Sequence, residues 1–380
     1  MGGTDAVTDA EWRRLLLLVR RALGSSGPDA GGEAELRDVP EFSSALRAAI
    51  ERHRIAVVLA HDTVGLGDVD RDWLRIRSET NVRRAAAAAA RAHSVTTALA
   101  GQGIRSVVLK GTPLAVVTTG DLAGRSCGDI DLLVDPERYV DAHRFLVADG
   151  WILASGPAAD PSSPAFAWTR WIDNHATYLR RDRREPAGHL ELHWRLGRST
   201  MLGLDFETIW GERALVDVGG VTLPTPGRDH HHLFVVAHAL RHNTERLQWA
   251  VDVALLERGL DPATSLRLDH VARRYLPDRT RVVARAVVQR IGFLPVEDHR
   301  LSPLEHRLVR ASLESLRTGS TQWSRTTGTL AVTGSPGGVL RSLAGTGTYA
   351  VERLGRRLPP RVGRLVRRRP DYDLPSRSPN

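Results

Sequence analysis

The chain has 380 residues, 42% hydrophobic and 26% charged, with a formal net charge of +9. This composition is ordinary for a soluble globular protein, and the length exceeds one usual core, so we expect more than one domain. The longest apolar runs are too short to span a bilayer, no signal peptide is visible, and the single cysteine, Cys127, excludes an intrachain disulfide. We expect a cytoplasmic protein with no transmembrane segment, and the positive charge fits an anionic partner such as a nucleotide.

Residues 1–78 are predicted to form an N-terminal helical region. Thr8 and Glu11 have the spacing of a capping box, which predicts a helix from Asp9 to Leu23. A second helical stretch is expected from Phe42 to about His61. The next predicted helix, 79–99, is rich in alanine. It is the first element of a core domain that we assign to residues 79–225.

Short apolar runs predict the strands of this core. They cover 104–109, 130–134, 151–153, 175–180 and 189–194, with helices predicted at 112–119 and 136–148. The last two strands are joined by a short polar connection, as in a hairpin. This order predicts an α/β (α+β) fold around a sheet of mixed direction.

The rest of the chain divides into a helical domain and a tail. Five helices are predicted within 226–317: 229–242, 245–258, 263–275, 279–291 and 304–316. Residues 318–380 are basic and are predicted to form a flexible tail. Arginine clusters at 356–361 and 367–369 are typical of a solvated segment, and also of one that contacts nucleic acid.

Two acidic residues begin the predicted strand 130–134. Side chains alternate along a strand, so Asp129 and Asp131 point the same way while Ile130 points into the core. Two carboxylates at this spacing repel each other unless a cation lies between them. Hard ions such as Mg²⁺ suit these oxygen ligands and also bind substrate phosphates.

Lys110 ends the first strand and is the only lysine in the chain. Every other residue of the Lys/Arg class in this chain is arginine. A lysine at this position is consistent with a point-charge contact to phosphate, although a solvated residue at a strand end explains it as well. The helix predicted to start at Thr112, beside Gly111, offers backbone N–H groups to an anion.

Other constellations give competing interpretations. His189, Glu191 and His193 alternate along one strand, so they share a face and are a candidate iron or zinc site. Cys127 is close to Asp129, but no base flanks it, which favours a buried structural thiol.

Several motifs, in order along the chain, resemble those of a known family. Leu109-Lys110-Gly111, Arg125-x-x-Gly-Asp129-Ile-Asp131 and Glu191-Leu-His193-Trp194 resemble the signature of an uncharacterised nucleotidyltransferase family within the DNA polymerase β-like nucleotidyltransferase superfamily. His238 and the segment Leu247-Gln-Trp249 with Asp252 resemble its C-terminal helical part. The resemblance covers about 80–258. One departure is that Lys110-Gly111-Thr112 stands where the superfamily usually has a Gly-Ser phosphate turn, at a longer distance from Asp129.

The resemblance implies a minimal mixed-sheet polymerase β-like core, with an N-terminal helical extension and a C-terminal helical domain. It implies transfer of a nucleoside monophosphate from an NTP such as ATP, with Mg²⁺ or Mn²⁺ as cofactor. In this scheme Asp129 and Asp131 bind metal, and Glu191 either completes the metal site or takes the proton of the attacking hydroxyl. The residues implied for nucleotide binding are Lys110, Gly111, Thr112 and Arg125, although Arg125 has a second interpretation as a partner of Asp129.

The acceptor is not specified by the sequence. A hydroxyl or phosphate of a small molecule or natural-product intermediate is the first hypothesis. Transfer to RNA or protein, as in toxin nucleotidyltransferases, is the second, and the basic tail favours it. A third is a binding module that keeps the fold without turnover, which the intact acidic set Asp129, Asp131 and Glu191 disfavours.

Overall fold

The computed structural model describes residues 7–24, 36, 40–156, 162–180, 188–197, 202–296, 300–320 and 336–355. Within them the chain has a mixed α/β fold, as predicted. Residues 157–161 and the arginine clusters beyond residue 355 lie outside these ranges. No helix in the described ranges is long and apolar enough to cross a bilayer.

The N-terminal helices are α1 (Asp9–Ala22), α2 (Ser44–His53), α3 (Ala56–Ala60) and α4 (Asp68–Gly101). Thr8 and Glu11 form the predicted capping box of α1. Arg54 adopts a left-handed conformation, with φ of 56°, and divides the second predicted helical stretch into α2 and α3.

Helix α4 starts well before the predicted position 79. Asp70 in its first turn is fully buried and accepts hydrogen bonds from the Phe42 backbone N–H and from Arg47, both at 2.7 Å. These long-range bonds tie the start of α4 to the region of α2. The predicted boundary at 78 therefore falls inside a continuous helix.

The sheet has the order β1–β2–β5–β4–β3, and β2 with β5 is its parallel pair. The strands are β1 (Ser106–Val108), β2 (Ile130–Val134), β3 (Trp151–Ser155), β4 (His175–Arg180) and β5 (His189–His193). Between them lie α5 (Thr112–Thr119), a 3₁₀ turn (Pro136–Arg138), α6 (Tyr139–Ala148) and α7 (Pro164–Ile172). The predicted mixed sheet is confirmed.

The two faces of the sheet differ in chemistry. Leu132 and Leu192 belong to a buried apolar cluster with Leu99 of α4 and Leu146 of α6. The alternate residues of β2 and β5 point to the other face, which carries the acidic and histidine side chains. The same face is bordered by a second apolar cluster, which joins Leu133 to the C-terminal helices.

After the sheet, α8 (Phe206–Gly211) leads to a hairpin of β6 (Ala214–Asp217) and β7 (Thr222–Thr225), which was not predicted. The helices that follow are α9 (Arg228–Arg241), α10 (Leu247–Glu257), α11 (Pro262–Tyr275), α12 (Asp278–Arg290), α13 (Pro303–Thr318) and α14 (Pro336–Gly355). The first five lie within about two residues of their predicted bounds. Helix α14 lies inside the predicted flexible tail, so that part of the tail is helical.

Candidate active site

Two carboxylates face each other across the parallel strands. Asp131 of β2 is paired in register with Glu191 of β5, so both side chains point to the polar face of the sheet. Asp131 is 1% exposed, whereas Asp129, immediately before β2, and Glu191 are partly exposed. The acidic side chains thus run from the interior toward the surface.

Lys110 lies beside the more buried carboxylate. Its Nζ is 3.2 Å from Oδ1 of Asp131, and its side chain is 15% exposed. Burial by itself lowers the pKa of Lys110, but the carboxylates of Asp131 and Asp129 outweigh it and raise that pKa. Burial raises the pKa of Asp131, and Lys110 reverses the shift and lowers it. The pair is therefore ionised at neutral pH.

His193 is held between the two carboxylates. Its Nε2 donates to Oδ1 of Asp131 at 3.3 Å and lies 3.4 Å from Oε2 of Glu191. Arg241 donates to Oδ1 of Asn174 at 3.4 Å, which fixes the orientation of the Asn174 amide. The amide nitrogen of Asn174 is therefore the atom that faces Nδ1 of His193, at 3.2 Å. Nδ1 then acts as acceptor and Nε2 carries the proton toward the carboxylates.

The polar face also brings together two sets of potential metal ligands. One set is Asp129, His189 and Glu191, and the other is His175, Glu191 and His193; within each, the ligand atoms lie within 4.8 Å of one another. His189 and His193, grouped together in the sequence-based alternative, fall in different sets. Glu191 belongs to both, which makes it the centre of the cluster.

Asp131 has a separate feature that bears on a cation. Its Oδ2 is buried and has no hydrogen-bond partner among the described residues. A buried carboxylate oxygen without a partner is costly unless a cation or donor supplies one. The unpartnered Oδ2 of Asp131 therefore suits a cation, but Asp131 belongs to neither set, and the structure brings only Asp129 and Glu191 of the three predicted carboxylates together as potential ligands.

Gly111 is the N-cap of helix α5 and follows Lys110 in the chain. Its φ is +79°, a conformation that favours glycine, and a Cβ there would lie 3.6 Å from the Asp129 carbonyl oxygen. Thr112, the first residue of α5, is 3% exposed. The start of α5 and the Asp129 backbone are thus close neighbours.

The loop before Asp129 is fixed from two sides. Asn81 of α4 donates to the carbonyl groups of Ala123 and Arg125, both at 3.0 Å, and accepts from the Cys127 N–H at 3.2 Å. The Arg125 guanidinium forms a buried bidentate pair with Asp252 of α10, with Nε to Oδ1 and Nη2 to Oδ2 both 2.9 Å. These contacts set the position at which Asp129 leaves the loop.

Arg125 is paired with Asp252 and not with Asp129, as one sequence-based interpretation had it, whereas its contact with phosphate stays a prediction. Its Nη1 donates to the Ser126 carbonyl at 3.3 Å, so each guanidinium nitrogen already has a protein acceptor. Cys127 is buried and donates to the Arg125 carbonyl. Burial raises the pKa of its thiol to about 11, which suits a structural role.

Aromatic rings from α9 and α10 lie near this face. The His238 ring centroid is 4.9 Å from that of His242 and 5.1 Å from that of Trp249. Burial, followed by the charge of Lys110, holds the pKa of His238 well below its usual value. The helical domain therefore contributes the neutral imidazole of His238 to the surroundings of Lys110.

The sequence did not identify Asn81, Asn174 or His175 as members of the site. His175 is opposite His193 in the β4–β5 hairpin, so the hairpin register is the signal that places it. Asn81 and Asn174 act through bonds to backbone and to another side chain, and neither belongs to a motif.

A mixed sheet with facing carboxylates on two parallel strands, and a lysine beside them, has the donor set of an enzyme that handles nucleotide phosphates. Residues 42–276 match the model of a family described as uncharacterised nucleotidyltransferase, and the chain belongs to that family. A comparison with curated proteins found none that matches. The sequence-based resemblance is confirmed, and the match begins in the N-terminal helices rather than near residue 80.

Proposed function

We propose that this protein is a metal-dependent nucleotidyltransferase that moves a nucleoside monophosphate from an NTP to a hydroxyl or phosphate of a small acceptor. The observation that carries the proposal is the register pairing of Asp131 with Glu191, with Lys110 at 3.2 Å from Asp131. Family membership supports nucleotidyl transfer as the reaction class. An NTP-dependent enzyme of this kind fits a cytoplasmic location.

We propose Asp129, Asp131 and Glu191 as the residues that hold the metal, Mg²⁺ or Mn²⁺. When bound, the ion supplies charge neutralisation for the phosphate oxygens and for the leaving pyrophosphate. The unpartnered Oδ2 of Asp131 supports this assignment, because it is a buried oxygen that needs a cation or a donor and finds neither among the described residues.

The chain's own groups bind and orient the nucleotide. Lys110 provides a positive charge at the end of β1, and Gly111 and Thr112 at the start of α5 offer backbone N–H groups to a phosphate. The acceptor oxygen attacks the α-phosphorus, the bond to pyrophosphate breaks, and the hydroxyl proton needs a carboxylate or water to receive it. Glu191 is the proposed third carboxylate of the site, as ligand or as proton acceptor.

Arg125 acts, in this proposal, as a positioning residue. Its charge is paired with Asp252, so a direct contact with phosphate would compete with two bonds of 2.9 Å. The pair instead connects the Asp129 loop to helix α10. A substrate that shifts α10 would thereby also shift the loop that carries Asp129.

One observation favours a second candidate. The set His175, Glu191 and His193 has the two-histidine, one-carboxylate composition of transition-metal sites. If that set holds the ion, iron or zinc replaces Mg²⁺ as the resident metal. Transfer to RNA or protein remains the alternative for the acceptor, with the basic C-terminal segment as the proposed contact.

The proposal is tested by calorimetry of each NTP, with and without Mg²⁺, on the parent and on Asp129→Asn/Asp131→Asn. We expect one NTP to bind the parent only with Mg²⁺ and the double variant to lose it. The matched control is Asp72→Asn/Asp141→Asn, which removes two carboxylates that lie on helix surfaces outside the site. Equal binding by the parent and the site variant would overturn the assignment.

A further inference from the structure

A large cavity lies within the helical domain, away from the carboxylates. It has a volume of about 780 Å³ and lies among the ends of α1 and α10, helices α11 and α12, and the segment after α12. This is within the range of small-molecule sites. Its lining residues do not include Lys110 or the acidic residues of the proposed active site.

The charge of the lining is strongly positive. Five arginines line the cavity against two acidic residues, Glu257 and Asp269; the arginines are Arg20, Arg258, Arg281, Arg285 and Arg290. Asp269 is paired with Arg281 at 2.6 Å, and Glu257 accepts from His232 at 2.8 Å. The two carboxylates therefore leave a positive excess that an anion would neutralise.

Among the described residues, a buried nitrogen atom has no hydrogen-bond partner in each of three lining residues, Gln289, Arg281 and His232. Gln289 is 6% exposed, and its Nε2 has no hydrogen-bond partner among the described residues. The same is true of Nε of Arg281. Both atoms are donors, so the partner that would satisfy them is an acceptor.

The cavity wall also contains apolar side chains, including Leu268, Phe293 and Leu294. A bare inorganic ion would leave this surface unused. The combination of donors, positive charge and apolar wall suits a molecule with an acidic head and a nonpolar body.

We propose that this cavity binds a small organic anion that carries a phosphate, sulfonate or carboxylate group, at a site separate from the nucleotide site. The anionic group lies toward Gln289 and the arginines, and the nonpolar body lies against Leu268 and Phe293. This inference does not depend on the chemistry proposed for the sheet.

The probe is 8-anilinonaphthalene-1-sulfonate, which joins a sulfonate to aromatic rings, added to the full chain and followed by fluorescence. We expect saturable binding at one site per chain. Inorganic phosphate and citrate are tested separately as competitors, to distinguish a phosphate from a carboxylate head group. Loss of one charge-assisted bond should weaken binding about tenfold in Arg290→Gln and Gln289→Leu.

Arg310→Gln is the matched control, because Arg310 is an exposed arginine of α13 that does not line the cavity. We expect it to bind the dye as the parent does. Gln289→Leu should unfold at the parent's temperature or above, because it removes a buried donor that has no partner among the described residues. A lower unfolding temperature would show that Nε2 has a structural partner and would count against the proposal.

Separation from the active site is tested in the same assay. Asp129→Asn/Asp131→Asn should bind the dye with the parent's affinity, whether or not the sheet binds nucleotide. Weaker dye binding by this double variant, absence of saturable binding, or equal affinity of Arg290→Gln and the parent would overturn the inference.

Discussion

The ammonium of Lys110 lies 3.2 Å from Oδ1 of Asp131, and both groups are largely buried. The only lysine of the chain thus neutralises the carboxylate that is paired in register with Glu191. This pair links the end of β1 to the proposed metal site, so changes to it should affect both stability and nucleotide binding.

Lys110→Met removes the charge and leaves the buried Asp131 carboxylate with its contact to His193. We expect a loss of about 3 kcal/mol in the free energy of unfolding, as for one partner removed from a buried ion pair. Lys110→Arg keeps the charge but not the compact shape, so it should fold and yet bind NTP about tenfold more weakly. Urea unfolding and calorimetry separate the two effects; an arginine variant with parental affinity would contradict the role of Lys110.

Asn81→Leu removes three hydrogen bonds that hold the loop before Asp129. Two carbonyl groups and one N–H would lose their buried partner, so we expect a loss of about 2 to 3 kcal/mol in the free energy of unfolding. Nucleotide binding should weaken in the protein that remains folded. The control is Glu79→Ala on the exposed side of α4, which should change stability by less than about 0.5 kcal/mol. Equal effects of the two variants would refute the account of Asn81.

The pair of Arg125 and Asp252 joins positions 127 residues apart. Arg125→Met and Asp252→Leu should each cost about 3 to 5 kcal/mol, because each leaves an unpaired buried charge. The double variant should cost less than the sum, since no isolated charge remains. Additive losses in a double-mutant cycle would mean that the two side chains do not interact in solution.

His53 gives the protein a defined pH dependence. Burial lowers the pKa of His53 to about 3, and its Nδ1 accepts the Leu247 backbone N–H at 3.1 Å. The unfolded chain therefore binds a proton between pH 6.5 and 3 that the folded chain does not, so stability falls as the pH falls through this window. The contribution of this group is on the order of 5 kcal/mol at its limit.

His53→Gln cannot bind that proton, and its unfolding free energy should depend less on pH than that of the parent as the pH falls below the ordinary histidine value of 6.5. His61→Gln, at an exposed histidine, is the control and should keep the parental slope. Chemical denaturation at several pH values measures both; identical slopes for parent and His53→Gln would contradict the prediction.

The sequence was sufficient where local signals agree with the fold. The apolar run 130–134 and the alternation along 189–193 predicted β2 and β5, and the amphipathic patterns predicted α9 to α13. The prediction that Asp129 and Asp131 share a face came from strand geometry alone. These features depend on neighbours in the chain.

Features that depend on contacts between residues far apart in the chain could not be predicted from the sequence. The start of α4 is set by Asp70 through bonds to Phe42 and Arg47, and Arg125 finds Asp252 through tertiary packing. The position of His175 opposite His193 needs the hairpin register, and a shift of one residue would send it to the apolar face.

The central claim is that Asp129, Asp131 and Glu191 hold the catalytic ion. The most direct test is a crystal structure with Mn²⁺ and a non-hydrolysable NTP, in which anomalous scattering locates the metal. We predict a peak bound by these carboxylates and by phosphate oxygens of the nucleotide. A peak held by His175, Glu191 and His193 without contact to the nucleotide would contradict the claim.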